Sequence, residues 1–166
     1  MNSSGGSGKD GGDDDTGLLV LRMAELADLD FLCNLEQQAF AGDRISRRSW
    51  HRFIARRCVF VCEINTRPCA AAVLLTRKGS AKSRLYSFAV DPGMRGRGIG
   101  YVFLRQLLFR EHDSGRRAVS LEVSERNIAA MELYRKTGFH ECGRREGYYQ
   151  DGASAVKMSI ELSRVS

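Results

Sequence analysis

Three consecutive stretches, RLYSFAV at 84–90, DPGMRGRGIG at 91–100 and YVFLRQLLF at 101–109, decide how this chain folds. The first is a short apolar run rich in residues that favour strands. The third continues a pattern with Ile99, Val102, Phe103 and Leu107 on one face, which predicts an amphipathic helix. Between them lie Gly96, Gly98 and Gly100, with Arg95 and Arg97 interleaved. A glycine-rich turn from strand into helix aims several backbone N–H groups at one point, with the positive end of the helix dipole behind them. Glycine leaves room for close approach and tolerates unusual φ. Such a turn suits a pyrophosphate; the alternative is a plain strand-to-helix turn. A P-loop needs Lys-Ser/Thr after its last glycine, and none follows. A dinucleotide fingerprint needs a third glycine where Tyr101 stands. The spacing present is Arg-x-x-Gly-x-Gly, at Arg95, Gly98 and Gly100.

Working outward, LLVLRM at 18–23 predicts a strand, and residues 25–39 a helix with Leu26, Leu29, Cys33 and Ala39 near helical spacing. Ser46 is placed to cap a second helix carrying Trp50, Phe53 and Ile54 inward and arginines outward. CVFVCEI at 58–64 and CAAAVLLTR at 69–77 predict a hairpin about Asn65-Thr66-Arg67-Pro68. Gly115 closes the helix that follows the glycine turn. AVSLEVS at 118–124 alternates, with Val119, Leu121 and Val123 facing one way and Ser120, Glu122 and Ser124 the other. Asn127 opens a further helix that Gly138 closes, and Phe139 returns to strand. Asp151-Gly152 predicts a hairpin turn before SAVKMSIEL. The order β-α-α-β-β-β-α-β-α-β-β predicts an α/β sandwich: one mixed, mainly antiparallel sheet of six to seven strands with about four helices.

The chain has 166 residues, 43% apolar and 28% charged, the profile of a single globular domain. No stretch reaches the roughly 18 apolar residues of a membrane span, and no basic-then-apolar leader opens the chain. Residues 1–17 carry one lysine against four aspartates, leaving that segment at −3 and the remainder at +9 of the total +6. This Gly/Ser/Asp-rich tail is expected to be disordered, with one domain over 18–166. Cys33, Cys58, Cys62, Cys69 and Cys142 are odd in number and lack C-x-x-C spacing, which predicts buried thiols in a reducing cytoplasm rather than zinc or disulfides. His51, His112 and His140 are scattered, so no metal is expected. Arg44, Arg47, Arg48, Arg52, Arg56 and Arg57 cluster, as a dock for an acidic or RNA-rich partner or as a solvated helix face. No nucleic-acid motif accompanies them.

YSFAVDPGMRGRGIGYVFL, LEVSERNIAAMELYRKTGF and YYQDGASAVKM together resemble the GCN5-related N-acetyltransferase (GNAT) superfamily, in its ribosomal-protein-alanine N-acetyltransferase branch. The likeness runs from about Leu18 to Leu162 and is densest after Tyr86. It implies a GNAT-like fold with splayed central strands and acetyl-CoA as cosubstrate. It implies that Phe88, Ala89 and Val90 pair with the pantetheine arm. The pyrophosphate then falls to Arg95, Gly96, Arg97, Gly98, Ile99 and Gly100. Glu122 takes the place of the general base; its plain alternative is a surface carboxylate paired with an arginine. Asn127, a natural N-cap, would also reach the pantetheine. Tyr134, seven residues on and on the same side of the helix, would protonate the CoA thiolate, and a hydroxyl near its ordinary pKa suits that task; the alternative is a packed aromatic.

The acceptor is expected between Phe40–Trp50 and Tyr148–Gly152, with Phe40, Tyr148 and Tyr149 as candidate contacts. The branch often has Pro-Trp after its first helix, where this chain has Phe40-Ala41-Gly42. The implied activity is acetyl transfer to a primary amine, foremost a protein or peptide N-terminal α-amine with a ribosomal target. The alternatives are a small-amine or amino-acid acetyltransferase, and a non-catalytic acetyl-CoA-binding or ribosome-docking module.

Overall fold

The computed structural model describes residues 17–164. The expected tail at 1–17 lies outside them except for Gly17. The elements are β1 (Leu19–Met23), α1 (Leu29–Ala39), α2 (Arg47–Ala55), β2 (Val59–Ile64), β3 (Arg67–Thr76), β4 (Lys82–Val90), α3 (Ile99–Asp113), β5 (Ala118–Ser124), α4 (Ile128–Thr137), β6 (His140–Arg145) and β7 (Ala155–Glu161). Short 3-10 turns precede α1 (Leu26–Asp28) and α3 (Pro92–Met94) and follow β7. The predicted order of strands and helices is therefore present. The seven strands form one sheet in the order β1-β2-β3-β4-β5-β7-β6, antiparallel except between β4 and β5.

Helices cover both faces. Phe103, Leu104 and Leu107 of α3, with Met131 and Tyr134 of α4, pack on Leu121 and Val123 of β5. Leu32 and Leu35 of α1, with Trp50 and Ile54 of α2, pack on Val59, Val61, Ala71 and Val73 of the other face. Each large side chain buried this way contributes about 1.5–3 kcal/mol. Strand β3 is buried on both sides, so CAAAVLL shows no alternation: Ala70 and Ala72 face α3, Ala71 and Val73 face α1 and α2.

One irregularity shapes the site. Val73 pairs with Ser87 and Leu74 with Leu85, so Tyr86 is an extra residue bulged out of β4. Bulges bend a strand and sharpen its twist. Strand β4 pairs with β5 only over Lys82–Leu85 against Ala118–Leu121, and pairing stops at the bulge. Beyond it, β4 stays with β3 as far as Val90, and β5 stays with β7 as far as Ser124. The two central strands part between Tyr86–Val90 and Glu122–Ser124.

Several expectations need correction. The first hairpin turns on two residues alone, Asn65 and Thr66, both left-handed at φ 49° and 66°. Arg67 and Pro68 already belong to β3 because that mirror-image turn matches strand twist. Asp151-Gly152 lies inside a long connection over 146–154, not in a tight hairpin. Val102 is 38% exposed, so the buried stripe of α3 runs through Ile99, Phe103, Leu104 and Leu107. Cys62 and Cys69 are buried, but Cys33 and Cys58 are half-buried and Cys142 on edge strand β6 is exposed.

Candidate active site

The parting of β4 from β5 opens a cavity of about 1000 Å³ that runs through the sheet. One end is built by the glycine turn. Asp91 accepts a hydrogen bond from the Gly93 N–H at 2.9 Å and starts the 3-10 turn. Gly96 and Gly98 then take left-handed φ of 80° and 77°, with nothing within 4 Å of where a Cβ would stand. A side chain there would strain the backbone and fill that space. The first intrahelical bond of α3 joins the Val102 N–H to the Gly98 carbonyl at 3.2 Å. The N–H groups of Ile99, Gly100 and Tyr101 consequently have no partner within the helix. Gly100 packs where a Cβ would meet Leu133 and Val90 at 3.4 Å, so it lets α3 approach β4 and α4 closely.

Phe88, Ala89 and Val90 line the cavity beside this turn, as do Arg95, Gly96, Gly98, Ile99 and Gly100. Arg97 is exposed and does not line it. Asn127 lines it too, and its Oδ1 accepts from the Ala130 N–H at 3.2 Å, so it is also the cap of α4. Tyr134 lies deeper, 7% exposed, its ring 6.4 Å from Phe88 and 5.7 Å from Phe139. Burial, aided by the neighbouring Tyr149 hydroxyl, pushes the Tyr134 hydroxyl well above its ordinary range. The expected match to a thiol at an ordinary pKa is corrected on that point: desolvation of the phenolate keeps the proton on.

Glu122 opens on the same cavity from the α1/α2 face of β5. Its Oε2 is buried and has no hydrogen-bond partner among the described residues. The Arg84 guanidinium is 3.6 Å away, within ion-pair reach but beyond a hydrogen bond. A buried, undonated carboxylate oxygen costs about 1–3 kcal/mol or more. Tyr149 is close by: burial foremost, then the Glu122 charge, pushes its hydroxyl pKa up.

Two loops close the end of the cavity away from the glycine turn. Phe40 to Asp43 line one wall, fastened by the Ile45 N–H donating to buried Glu36 at 2.9 Å and Arg44 donating to the Phe40 carbonyl at 2.7 Å. Tyr149 to Asp151 line the other. That loop is fastened by Ser154, whose N–H donates to Glu125 at 2.9 Å and whose hydroxyl donates to Glu146 at 2.7 Å. The walls meet where the Gln150 amide donates to Asp43 at 3.3 Å. Tyr148 does not line the cavity; it is 48% exposed and sits edge-on to Tyr149 at 5.1 Å.

The sequence reading missed several lining residues. Tyr86 is one, since a bulge leaves no signature in a single strand. Tyr101 and Lys136 are others: Lys136 Nζ sits 4.8 Å from the Tyr101 ring, joining α4 to α3 at the turn. Lys136 was visible as a lysine two residues past Tyr134, but only packing of the helices brings it to the cavity.

Comparison with known proteins agrees with this geometry. A model of the acetyltransferase (GNAT) family matches residues 23–139. The [ribosomal protein bS18]-alanine N-acetyltransferase of Salmonella typhimurium is 33% identical over 56% of this chain and 65% of its own length. The N-alpha-acetyltransferase RimI of Mycobacterium tuberculosis is 45% identical over 45% of this chain and 46% of its own. The chain spans less than two thirds of the length of the first curated relatives it matches, 41% to 65%. The crystal structure of the Escherichia coli ribosomal-protein-S18-alanine N-acetyltransferase superposes with a TM-score of 0.79 at 28% identity, over 87% of this chain and 94% of that one. Fold, glycine turn and family model coincide, and the chain belongs to the GNAT acetyltransferase family.

Proposed function

We propose that the protein transfers the acetyl group of acetyl-CoA to a primary amine, and that the amine is a protein N-terminal α-amine of the ribosomal-protein type. The observation that carries this reading is the buried, undonated Glu122 Oε2 facing the same cavity as the glycine turn. Desolvating a carboxylate without a donor makes sense where an incoming ammonium or amine supplies the missing hydrogen.

The cavity fits the cosubstrate. Unpartnered N–H groups of Ile99, Gly100 and Tyr101, with Arg95 beside them, would hold the pyrophosphate. The free edge of β4 over Phe88–Val90 offers N–H and C=O groups to an extended amide chain, and an N–H there polarises an acyl carbonyl. Bound acetyl-CoA supplies an acyl group activated as a thioester. Glu122 accepts the amine proton, directly or through a water, so that the nitrogen lone pair is free to attack. Tyr134, held protonated by burial, donates its proton to the departing sulfur. Phe40–Asp43 and Tyr149–Asp151 hold the residues that follow the amine. The acceptor type rests on the likeness to the alanine N-acetyltransferases named above.

A screen of short peptides and small amines with acetyl-CoA, read by thiol release, tests this. Release with Ala- or Ser-initiated peptides and not with polyamines or free amino acids is expected. Preference for a small amine would reassign the acceptor. Tight coenzyme binding with no release for any amine would leave a binding module.

A further inference from the structure

From Arg44 to Val90 the chain has one acidic residue, Glu63, against eleven arginines and lysines. Glu63 is already engaged by Arg22 at 2.6 Å. Helix α2 breaks two local rules. Arg47 and Arg48 occupy its first turn, where the positive helix end disfavours cations; Asp30 offsets Arg47 at 2.8 Å, and Arg48 has no such carboxylate among the described residues. Arg48, Arg52 and Arg56 follow at i, i+4 and i+8, a spacing that stacks like charges along one stripe. Arg57 then takes a left-handed φ of 58°, where glycine is the unstrained choice. Local rules broken without compensation are found at functional or strained sites.

Compensation is present elsewhere. Arg22, Arg47, Arg84, Arg126, Arg135 and Arg144 each lie within 4 Å of a carboxylate. Among the described residues, Arg48, Arg52, Arg56 and Arg57 reach none, and all four are exposed. The Cys58 carbonyl accepts from the Leu74 N–H at 3.0 Å, so the exit of α2 abuts the end of β3. Exposed Arg77 and Lys78 follow β3 there, and exposed Lys82 opens β4. On its inner side α2 adjoins the cavity, with the Phe53 ring 5.7 Å from Tyr86. The only large exposed apolar side chain between 44 and 90 is Tyr86. A protein partner wants aromatic or aliphatic anchors at its centre, whereas a phosphate backbone needs only arginines and lysines.

We propose that the outer face of α2 and the adjoining end of the sheet dock the phosphate backbone of RNA beside the acceptor end of the cavity. The docking stands on the charge layout alone. The choice of RNA rests on the proposed ribosomal type of acceptor, an N-terminus presented on an RNA assembly. Contact is to the backbone, without base readout.

The test is fluorescence anisotropy of a labelled 20-nucleotide single-stranded RNA with the full chain across a salt series. Binding with a Kd of about 1–100 μM at physiological salt is expected. The triple variant Arg48→Gln, Arg52→Gln, Arg56→Gln should bind at least tenfold more weakly, with a salt slope shallower by about two. The triple Arg→Lys variant should keep most of the affinity. Both should melt like the parent and acetylate a free peptide at the parent rate. No RNA binding by the parent, an unchanged slope in the Gln variant, or displacement of RNA by polyglutamate as readily as by unlabelled RNA would overturn the proposal. Tighter binding of a DNA duplex would overturn the choice of RNA. RNA binding without acetylation of any amine would remove the acetyl-transfer reading and leave the docking face standing.

Discussion

The proposed coenzyme end of the cavity draws on one stretch of chain, between Phe88 and Tyr101, with residues of α4 beside it. The proposed acceptor end draws on segments far apart in the chain: Phe40–Asp43, Tyr86, Glu122 and Tyr149–Asp151. Backbone geometry follows from local sequence, because two left-handed glycines and a helix start dictate where N–H groups point. Converging side chains follow from tertiary packing. The first end is therefore set by local backbone geometry, and the second is held by hydrogen-bonded loops.

Substitutions at the two ends should separate chemistry, coenzyme binding and acceptor binding. Glu122→Gln should have the largest effect, lowering kcat/KM by about 1000-fold with coenzyme affinity unchanged. A loss under threefold in stopped-time thiol release would move the base elsewhere. Tyr134→Phe should lower kcat by about 100-fold, again with coenzyme Kd intact by calorimetry; a large loss of affinity with normal turnover would make it a binding residue. Because burial raises the Tyr134 pKa above its ordinary 10.0, ionisation of this acid should not slow the parent as pH approaches that value. A falling limb below it that disappears in the Phe variant would contradict the burial argument. Gly98→Ala should weaken coenzyme binding roughly tenfold and cost about 1–2 kcal/mol of stability, with acceptor KM unchanged. Asp43→Ala removes one exposed hydrogen bond between the two loops and should raise acceptor KM only about three- to fivefold. If it instead weakened the coenzyme, the two ends would not be separable.

The same contrast explains what was legible. The order of elements could be read because each carries its own period and punctuation: Ser46 and Asn127 cap their helices as expected, and Gly138 ends α4 at φ 115°. The glycine turn could be read because its signal is contiguous. Glu122 stood out by alternation within AVSLEVS, yet nothing local showed that its Oε2 lacks a donor, since that depends on Arg84 halting at 3.6 Å. Tyr86 lies in the predicted strand, but its bulge depends on the register with β3 and leaves no local mark. Tyr148 was paired with Tyr149 as an acceptor contact, but only one of two adjacent tyrosines turns inward. Arg97 sits between two left-handed glycines and points to solvent, while Arg95 before them lines the cavity.

One cavity joins the two ends across the gap between β4 and β5. A bisubstrate ligand, with CoA joined through an acetyl bridge to the α-nitrogen of an Ala-initiated peptide, measures this directly by calorimetry. Binding at least about 100-fold tighter than CoA alone is expected, because the second half binds intramolecularly. Affinity within twofold of CoA would mean that the peptide half finds no continuous path, and would contradict it.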